Sequence, residues 1–370
     1  MKPLLRIRIT FHASRFTHHA SRFTPRMHLR LAFIGFGNVA RAFARILHLR
    51  ESKLAERYDL RFSITAIATA RHGCIISKDG IELLKAVACV ESGGSLTELR
   101  DAIDVRDSAT LIERCNADLV FETTPLNPDN GEPAITHIRS ALTRGIHVVT
   151  ANKGPIAFAY RELESLASLH GAAFRFEGIV MDGTPIFNLV DSCLPGARVL
   201  GFSGVLNSTT NLILTGMEAG QSFEECLADA QRRGIAEADA ANDIDGWDAA
   251  VKAVALANVL MDSDSRPADV DRKGIRGIKV EDLKSAATAG MALRLVARGK
   301  QTTNGVKLTV APEEVSASSV LGSVRGTSNA LVLETDLMGE IAIVETDPGV
   351  EQTAYALLSD LIRIRVRRDS

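Results

Sequence analysis

Leu29-Arg30-Leu31-Ala32-Phe33-Ile34-Gly35-Phe36-Gly37-Asn38-Val39-Ala40 decides the fold. Residues 29–34 form a short apolar run, which reads as a buried strand. Two glycines follow at once, and a helical pattern then runs through Phe43, Ile46 and Leu47. Strand, G-x-G-x-x-A turn and helix in that order form the setting of a dinucleotide fingerprint. Gly35 permits the tight turn, Gly37 lets backbone approach a pyrophosphate, and small Ala40 lets helix pack on strand. The free N–H groups of Asn38 and Val39, with the positive end of the helix dipole, suit phosphate oxygens. A glycine turn in an α/β fold that binds no nucleotide is the blander reading.

Outward from this turn the pattern alternates. A second strand is expected over Arg61–Ala68, another over Ala117–Pro125 ending in a polar turn, a helix over Ala134–Thr143 closed by Gly145, and a strand over Ile146–Thr150. Alternating strands and helices imply an α/β, Rossmann-type doubly wound parallel sheet. Ligands bind such sheets at the carboxyl ends of the strands, where Thr124 and the segment after Thr150 fall. The second strand ends Thr69-Ala70-Arg71-His72, with no acid for a ribose diol. Arg71 can pair with a 2′-phosphate, which favours NADP while leaving NAD open; a solvated loop arginine is the other reading.

Composition bounds the rest. The 370 residues suggest two or three domains. Apolar residues at 46% and charged residues at 24% fit a globular chain and exclude disorder or collagen as a whole. No run of 18 apolar residues points to a membrane. A net charge of −2 argues against a dedicated nucleic-acid binder. Five cysteines without a C-x-x-C pair suggest neither a disulfide framework nor zinc, and fit the cytoplasm. Residues 1–26 differ from the remainder. They carry six basic side chains and no acid, and His12–Thr17 recurs as His19–Thr24. A transit peptide shares that composition. We read a disordered low-complexity extension with no catalytic role and Met27 as the working start.

From Thr150-Ala151-Asn152-Lys153-Gly154-Pro155 onward the sequence resembles the homoserine dehydrogenase family. Four further segments agree in order. They are Glu177-Gly178-Ile179-Val180-Met181-Asp182-Gly183-Thr184-Pro185-Ile186; Gly204 to Asn211, with Ser208 in a glycine place; Gly234-Ile235-Ala236-Glu237-Ala238-Asp239 leading through Asp243 to Asp245-Gly246-Trp247-Asp248-Ala249-Ala250-Val251-Lys252; and Thr353-Ala354 with Ser359-Asp360-Leu361-Ile362. Two departures stand out. The chain stops at Ser370, where many relatives continue into a regulatory domain, and Glu345 replaces the first glycine of a turn reduced to Asp347-Pro348-Gly349-Val350.

The resemblance implies reversible, NAD(P)H-dependent reduction of L-aspartate 4-semialdehyde to L-homoserine, by a homodimer without nucleic-acid or membrane partners. Asp248 and Lys252, spaced i, i+4, share a helix face. Alone they would read as a surface pair worth about 0.3–0.5 kcal/mol. The resemblance instead makes Lys252 the proton donor and Asp248 its orienting partner. It gives Lys153 an active-site and cofactor role, and gives the substrate amino group to Glu237 with Asp243. Gly35, Gly37, Asn38, Val39, Arg71, Thr124 and Gly349 would contact the cofactor. Glu177, Val180, Asp182 and Thr184 would hold a monovalent cation, Na+ or K+. The implied organisation is a nucleotide-binding domain over 27–150 plus 335–370, and a catalytic and dimerising α+β domain over 151–334. A helix is expected over Leu283–Arg298. Two alternatives stay open: a related NADP-dependent oxidoreductase acting on another small amino or oxo aldehyde, and a catalytically silent NADP-binding regulator.

Overall fold

Phe33, Phe43 and Phe121 explain why the first strand, its helix and a distant strand come together. Their rings pack with centroids 6.0 Å apart for Phe33–Phe43, 5.2 Å for Phe33–Phe121 and 4.7 Å for Phe43–Phe121. All three are fully buried. The computed structural model describes residues 27–99 and 101–367, so the expectation of a disordered segment over 1–26 lies outside the described residues.

The first sheet contains β1 (Met27–Ile34), β2 (Leu60–Ala68), β3 (Cys74–Ile76), β4 (Ile103–Asp104), β5 (Leu119–Glu122), β6 (His147–Thr150) and β7 (Phe174–Arg175), in the order β4-β3-β2-β1-β5-β6-β7. The pairs β1/β2, β1/β5, β5/β6 and β6/β7 are parallel, while β3 and β4 add an antiparallel edge. Strand order reverses between β1 and β5. That is the switch point where a doubly wound sheet opens a ligand crevice. The glycine turn leaves β1 at this point. The helix Gly154–Leu169 crosses from β6 to β7, so the first sheet continues past Thr150, the expected boundary.

The second sheet contains β8 (Val199–Val205), β9 (Asp271–Arg272), β10 (Met291–Thr302), β11 (Gly305–Ser316), β12 (Asn329–Thr335) and β13 (Gly339–Glu345), in the order β13-β12-β8-β10-β11-β9. Two expectations are corrected here. The helix expected over Leu283–Arg298 is a shorter helix, Val280–Thr288, followed by β10. Gly290, at φ +73°, turns the chain between them, and residues 291–302 pair with β11, and in part with β8. The last strand, expected to return to the first domain, pairs with β12 in the second sheet. What does return is the closing helix Val350–Arg367, which packs on the glycine-turn helix Asn38–Tyr58. Its Ala354, Leu357, Leu358 and Leu361 are buried in the nucleotide-domain core.

The helix Trp247–Leu260 carries the most specific motif. It is apolar nearly all round, and residues 249–251 and 253–258 are buried, as expected of a helix through a core. It lies against the helix Gly154–Leu169 and the second sheet. Asn258 Nδ2 donates to the Ile156 carbonyl at 3.3 Å. This packing carries residues from two sheets toward one cleft. Among the described residues, no helix is long and apolar enough to cross a membrane.

Candidate active site

Gly35 sits at φ +88°, in the left-handed region, and its N–H donates to the Ala68 carbonyl at 2.9 Å. A Cβ there would stand 2.7 Å from the Thr123 carbonyl carbon and oxygen and 2.8 Å from the Thr124 nitrogen. At Gly37 an added Cβ meets nothing within 4 Å. The helix beginning at Asn38 has no side-chain cap, so its leading N–H groups are available to phosphate oxygens. Asn38 is exposed and its Oδ1 accepts from Arg41 at 2.7 Å; Val39 is half-buried. The open space, uncapped helix end and switch point fit a dinucleotide. Gly35→Ala and Gly37→Ala are therefore expected to differ. The first should cost about 2–5 kcal/mol of stability through strain and overpacking. The second should hold its melting temperature and lose cofactor affinity. Thermal unfolding and a fluorescence titration with NADPH check both outcomes.

Two loops follow β5 and β6. The first carries Thr124, whose N–H donates to Glu122 Oε1 at 3.0 Å. The second carries Asn152 and Lys153. Asn152 Nδ2 donates to the Thr124 carbonyl at 3.1 Å and so ties the loops together. Lys153 then reaches across to the helix of the second domain, with Nζ 2.8 Å from Asp248 Oδ1. Lys252 Nζ lies 3.4 Å from the other oxygen, Asp248 Oδ2, and donates to the Leu206 carbonyl at 2.6 Å. Asn207 adds a donor. Its Nδ2 serves Asp248 Oδ2 at 3.0 Å and Asp243 Oδ1 at 2.7 Å. Its Oδ1 caps the helix Ser208–Glu218 by accepting from Thr210 N–H at 2.8 Å.

The electrostatics follow from this crowding. Burial would lift the Asp248 carboxyl, but the charges of Lys153 and Lys252 outweigh it and hold the group well below the usual carboxylate range. Burial opposes the Lys153 ammonium. The charge and hydrogen bond of Asp248 more than offset it, so Lys153 stays protonated above its ordinary range. Asp243 is pushed up, first by burial and then by the neighbouring charge of Asp248. Asp248 also lies in the first turn of its helix, where the dipole favours an anion.

Lys153, Asp248, Lys252 and Asp243 are thus drawn into one network spanning both sheets. Glu237 is exposed on the loop before the short helix Ala241–Ile244, and its carbonyl accepts from Gln231 at 3.2 Å. Arg71 is exposed at the end of β2. Gly349 precedes the closing helix, its carbonyl accepting from the Gln352 N–H at 3.2 Å.

The loop read as a cation holder has its side chains engaged. The Glu177 carboxylate accepts from the backbone N–H groups of Ile186 at 2.5 Å, Phe187 at 3.0 Å and Asn188 at 2.7 Å. Asp182 accepts from Thr353 Oγ1 at 2.6 Å, and Thr184 Oγ1 donates to Glu345 Oε1 at 3.1 Å. Any ion there would be held by main-chain carbonyls. Among the described residues no group of three His, Cys, Asp or Glu is placed to hold a metal. The buried His137 and His147 are engaged with Ser108 and the Ala173 N–H.

Sequence reasoning missed two polar residues and noted a third, Glu345, without a role. Glu122 hides in a strand whose other residues are apolar. Asn207 stands in a quoted motif, yet its spacing shows no partner. Glu345 is buried, its Oε2 accepting from Asn329 at 3.1 Å; its replacement of an expected glycine was the signal.

A parallel sheet with a glycine turn at its switch point and a lysine beyond β6, facing a lysine and a carboxylate from a second domain, defines an NAD(P)-dependent oxidoreductase acting on CH–OH groups. The chain belongs to the homoserine dehydrogenase family. Residues 35–177 match the family model "Homoserine dehydrogenase, NAD binding domain", and residues 185–362 match the model "Homoserine dehydrogenase". The homoserine dehydrogenase of Methanocaldococcus jannaschii is 40% identical over 90% of this chain and 98% of its own. The NAD(+)-dependent homoserine dehydrogenase of Pseudomonas canavaninivorans is 36% identical over 90% and 96%. Among solved structures, a putative homoserine dehydrogenase from Archaeoglobus fulgidus superposes with a TM-score of 0.81 at 31% identity, covering 91% of this chain and 99% of its own. A hyperthermophilic archaeal homoserine dehydrogenase in complex with NADPH gives 0.78 at 30%, over 92% and 98%.

Proposed function

We propose that the chain interconverts L-aspartate 4-semialdehyde and L-homoserine, with Lys252 as the proton donor and NADP as the preferred cofactor. The observation that carries this reading is the Lys153–Asp248–Lys252 array, in which one ionised carboxylate sits between two lysines from different domains. The cofactor, when bound, supplies or removes the hydride. Adding hydride to an aldehyde leaves negative charge on its oxygen, which needs a cation or an acid. An ammonium has three N–H donors. The Leu206 carbonyl takes one on Lys252, whose ammonium also pairs with Asp248 at 3.4 Å, which leaves a donor for the substrate oxygen. Asp248 keeps its charge and so keeps both ammonium groups in place. Asp243 and Glu237 supply the anionic side for the substrate ammonium. Lys153, fixed at the end of β6, bridges the cofactor and substrate sides.

Gly35, Gly37, Asn38, Val39, Thr124 and Gly349 are assigned to the cofactor, and exposed Arg71 to its 2′-phosphate. Arg71→Ala is expected to raise the KM for NADPH by about 10–100-fold, the worth of a charge-assisted hydrogen bond, and to leave the KM for NADH nearly unchanged. Initial-rate kinetics with both cofactors decide this. We assign Na+ or K+ to the carbonyls of Glu177, Val180, Asp182 and Thr184. A homodimer in the cytoplasm is supported by the exposed apolar residues Leu337, Met338 and Val344 at the β12–β13 hairpin and its edge strand, and by five free cysteines. We place residues 27–150, the crossover to β7 and the closing helix in the nucleotide-binding domain. The test is NADPH oxidation with aspartate semialdehyde against a panel of other small aldehydes. A higher kcat/KM for another aldehyde would move the substrate assignment.

A further inference from the structure

Where the loops after β5 and β6 meet, both oxygens of a fully buried glutamate are engaged. Glu122, the last residue of β5, has no exposed surface. Its Oε1 accepts from the N–H and the hydroxyl of Thr124, and its Oε2 accepts from Thr150 Oγ1 at 3.0 Å. Thr150 Oγ1 accepts in turn from the Asn152 N–H at 3.0 Å, and Asn152 closes the ring by donating to the Thr124 carbonyl. Asn152 Oδ1 also accepts from the Gly154 N–H at 3.0 Å, so both neighbours of Lys153 are pinned. The carboxylate meets no lysine or arginine in this ring. The Nδ1 of His137 stands 4.0 Å away, while its Nε2 is bonded to Ser108 Oγ at 2.7 Å. A buried carboxylate on neutral donors is a poor source of stability compared with an apolar side chain. What it does supply is direction.

We propose that Glu122 is a positioning residue. Its carboxylate locks the Thr124 loop to the Lys153 loop and sets the angle at which Lys153 crosses to Asp248. The proposal rests on the roles assigned above to Lys153 and Thr124. It places a control point for the reaction at a residue that touches neither substrate nor cofactor.

Three variants test it. In Glu122→Gln the amide oxygen can still serve Thr124, but the amide nitrogen turns a donor toward Thr150. Thr150→Val removes the same link from the other side, and Thr150→Ser keeps it. Glu122→Gln and Thr150→Val are expected to lower kcat by about 10–100-fold, the cost of a misplaced reacting group. The deuterium isotope effect on kcat with 4-deuterated NADPH should rise, and the NADPH dissociation constant should stay within about threefold. Thr150→Ser should recover most of the loss. The double variant should be no worse than Thr150→Val alone, because that change already removes the Glu122–Thr150 link. Hydrogen exchange of the 151–154 amides should accelerate in both single variants, a readout independent of turnover. If Glu122→Gln does not fold, the Thr150→Val and Thr150→Ser pair carries the test. Wild-type kcat and unchanged amide exchange in folded Thr150→Val would overturn the proposal. A wild-type protein inactive on aspartate semialdehyde would refute the substrate reading, and the exchange measurement would still decide the clamp.

Discussion

Lys252→Ala is expected to reduce kcat for NADPH-dependent reduction of aspartate semialdehyde by about 10²–10⁴-fold, the range for losing a positioned general acid. The fold should tolerate the change. Asp248 retains Lys153 at 2.8 Å and Asn207 at 3.0 Å, so the variant leaves no orphaned buried anion. Its melting temperature should stay within a few degrees of wild type, and its NADPH affinity within about threefold. Lys252→Arg should also be slow, although it keeps the charge. A guanidinium is a planar fork that is not deprotonated in proteins, so it neither transfers a proton nor fits a site shaped for a compact ammonium. Stopped-flow measurement of NADPH oxidation separates hydride transfer from product release in both variants. Rapid hydride transfer by Lys252→Ala would remove this residue from the chemistry. Lys153, the other ammonium on Asp248, would then be the candidate donor.

The features that proved readable in the sequence are local ones. The glycine turn is a property of adjacent residues, and Gly35 does occupy the conformation that only glycine adopts freely. The pair Asp248 and Lys252 is one helical turn, and the structure brings them to 3.4 Å. The partnership of Lys153 with Asp248 was not readable, because the pairing of two domains joins residues 95 positions apart. Glu122 was hidden for a related reason. Period-2 and apolar-run arguments show which face of a strand is buried, but not that a buried acid has met a threonine from the next strand. The misread segment after Val280 shows tertiary context overriding pattern. Leu293, Arg294, Leu295, Val296, Ala297 and Arg298 give arginines at i, i+4, which suits a helix surface. Instead Arg294 is buried in β10, bonded to Glu218 at 2.5 Å and to the Gly322 carbonyl at 3.1 Å. The distant Glu218 makes a buried arginine acceptable there, and Gly290 marks the helix end.

The closing helix carries the second large effect. Asp360 is 1% exposed. It accepts from the Glu177 N–H at 2.9 Å and from Asn188 Nδ2 at 3.4 Å. Burial, with the nearby Glu177 carboxylate, pushes its pKa up to about 7, against the lowering pull of those hydrogen bonds and of Arg175. An unfolded aspartate titrates near 3.9. Between these two values the folded chain holds a proton that the unfolded chain has lost. The contribution of Asp360 is therefore fully present below about pH 4 and is lost as pH rises through about 7. Three pH units at 1.36 kcal/mol each put the change on the order of 4 kcal/mol. Asp360→Asn keeps an oxygen acceptor for the Glu177 N–H and cannot ionise. The variant should match wild type near pH 4 and exceed it in unfolding free energy at pH 8, by up to about 4 kcal/mol. Urea unfolding at the two pH values measures the difference directly. Parallel stability profiles for the two proteins would show that Asp360 ionises in the folded chain as easily as in the unfolded one. Its burial between the closing helix and the Glu177 loop would then carry no electrostatic cost.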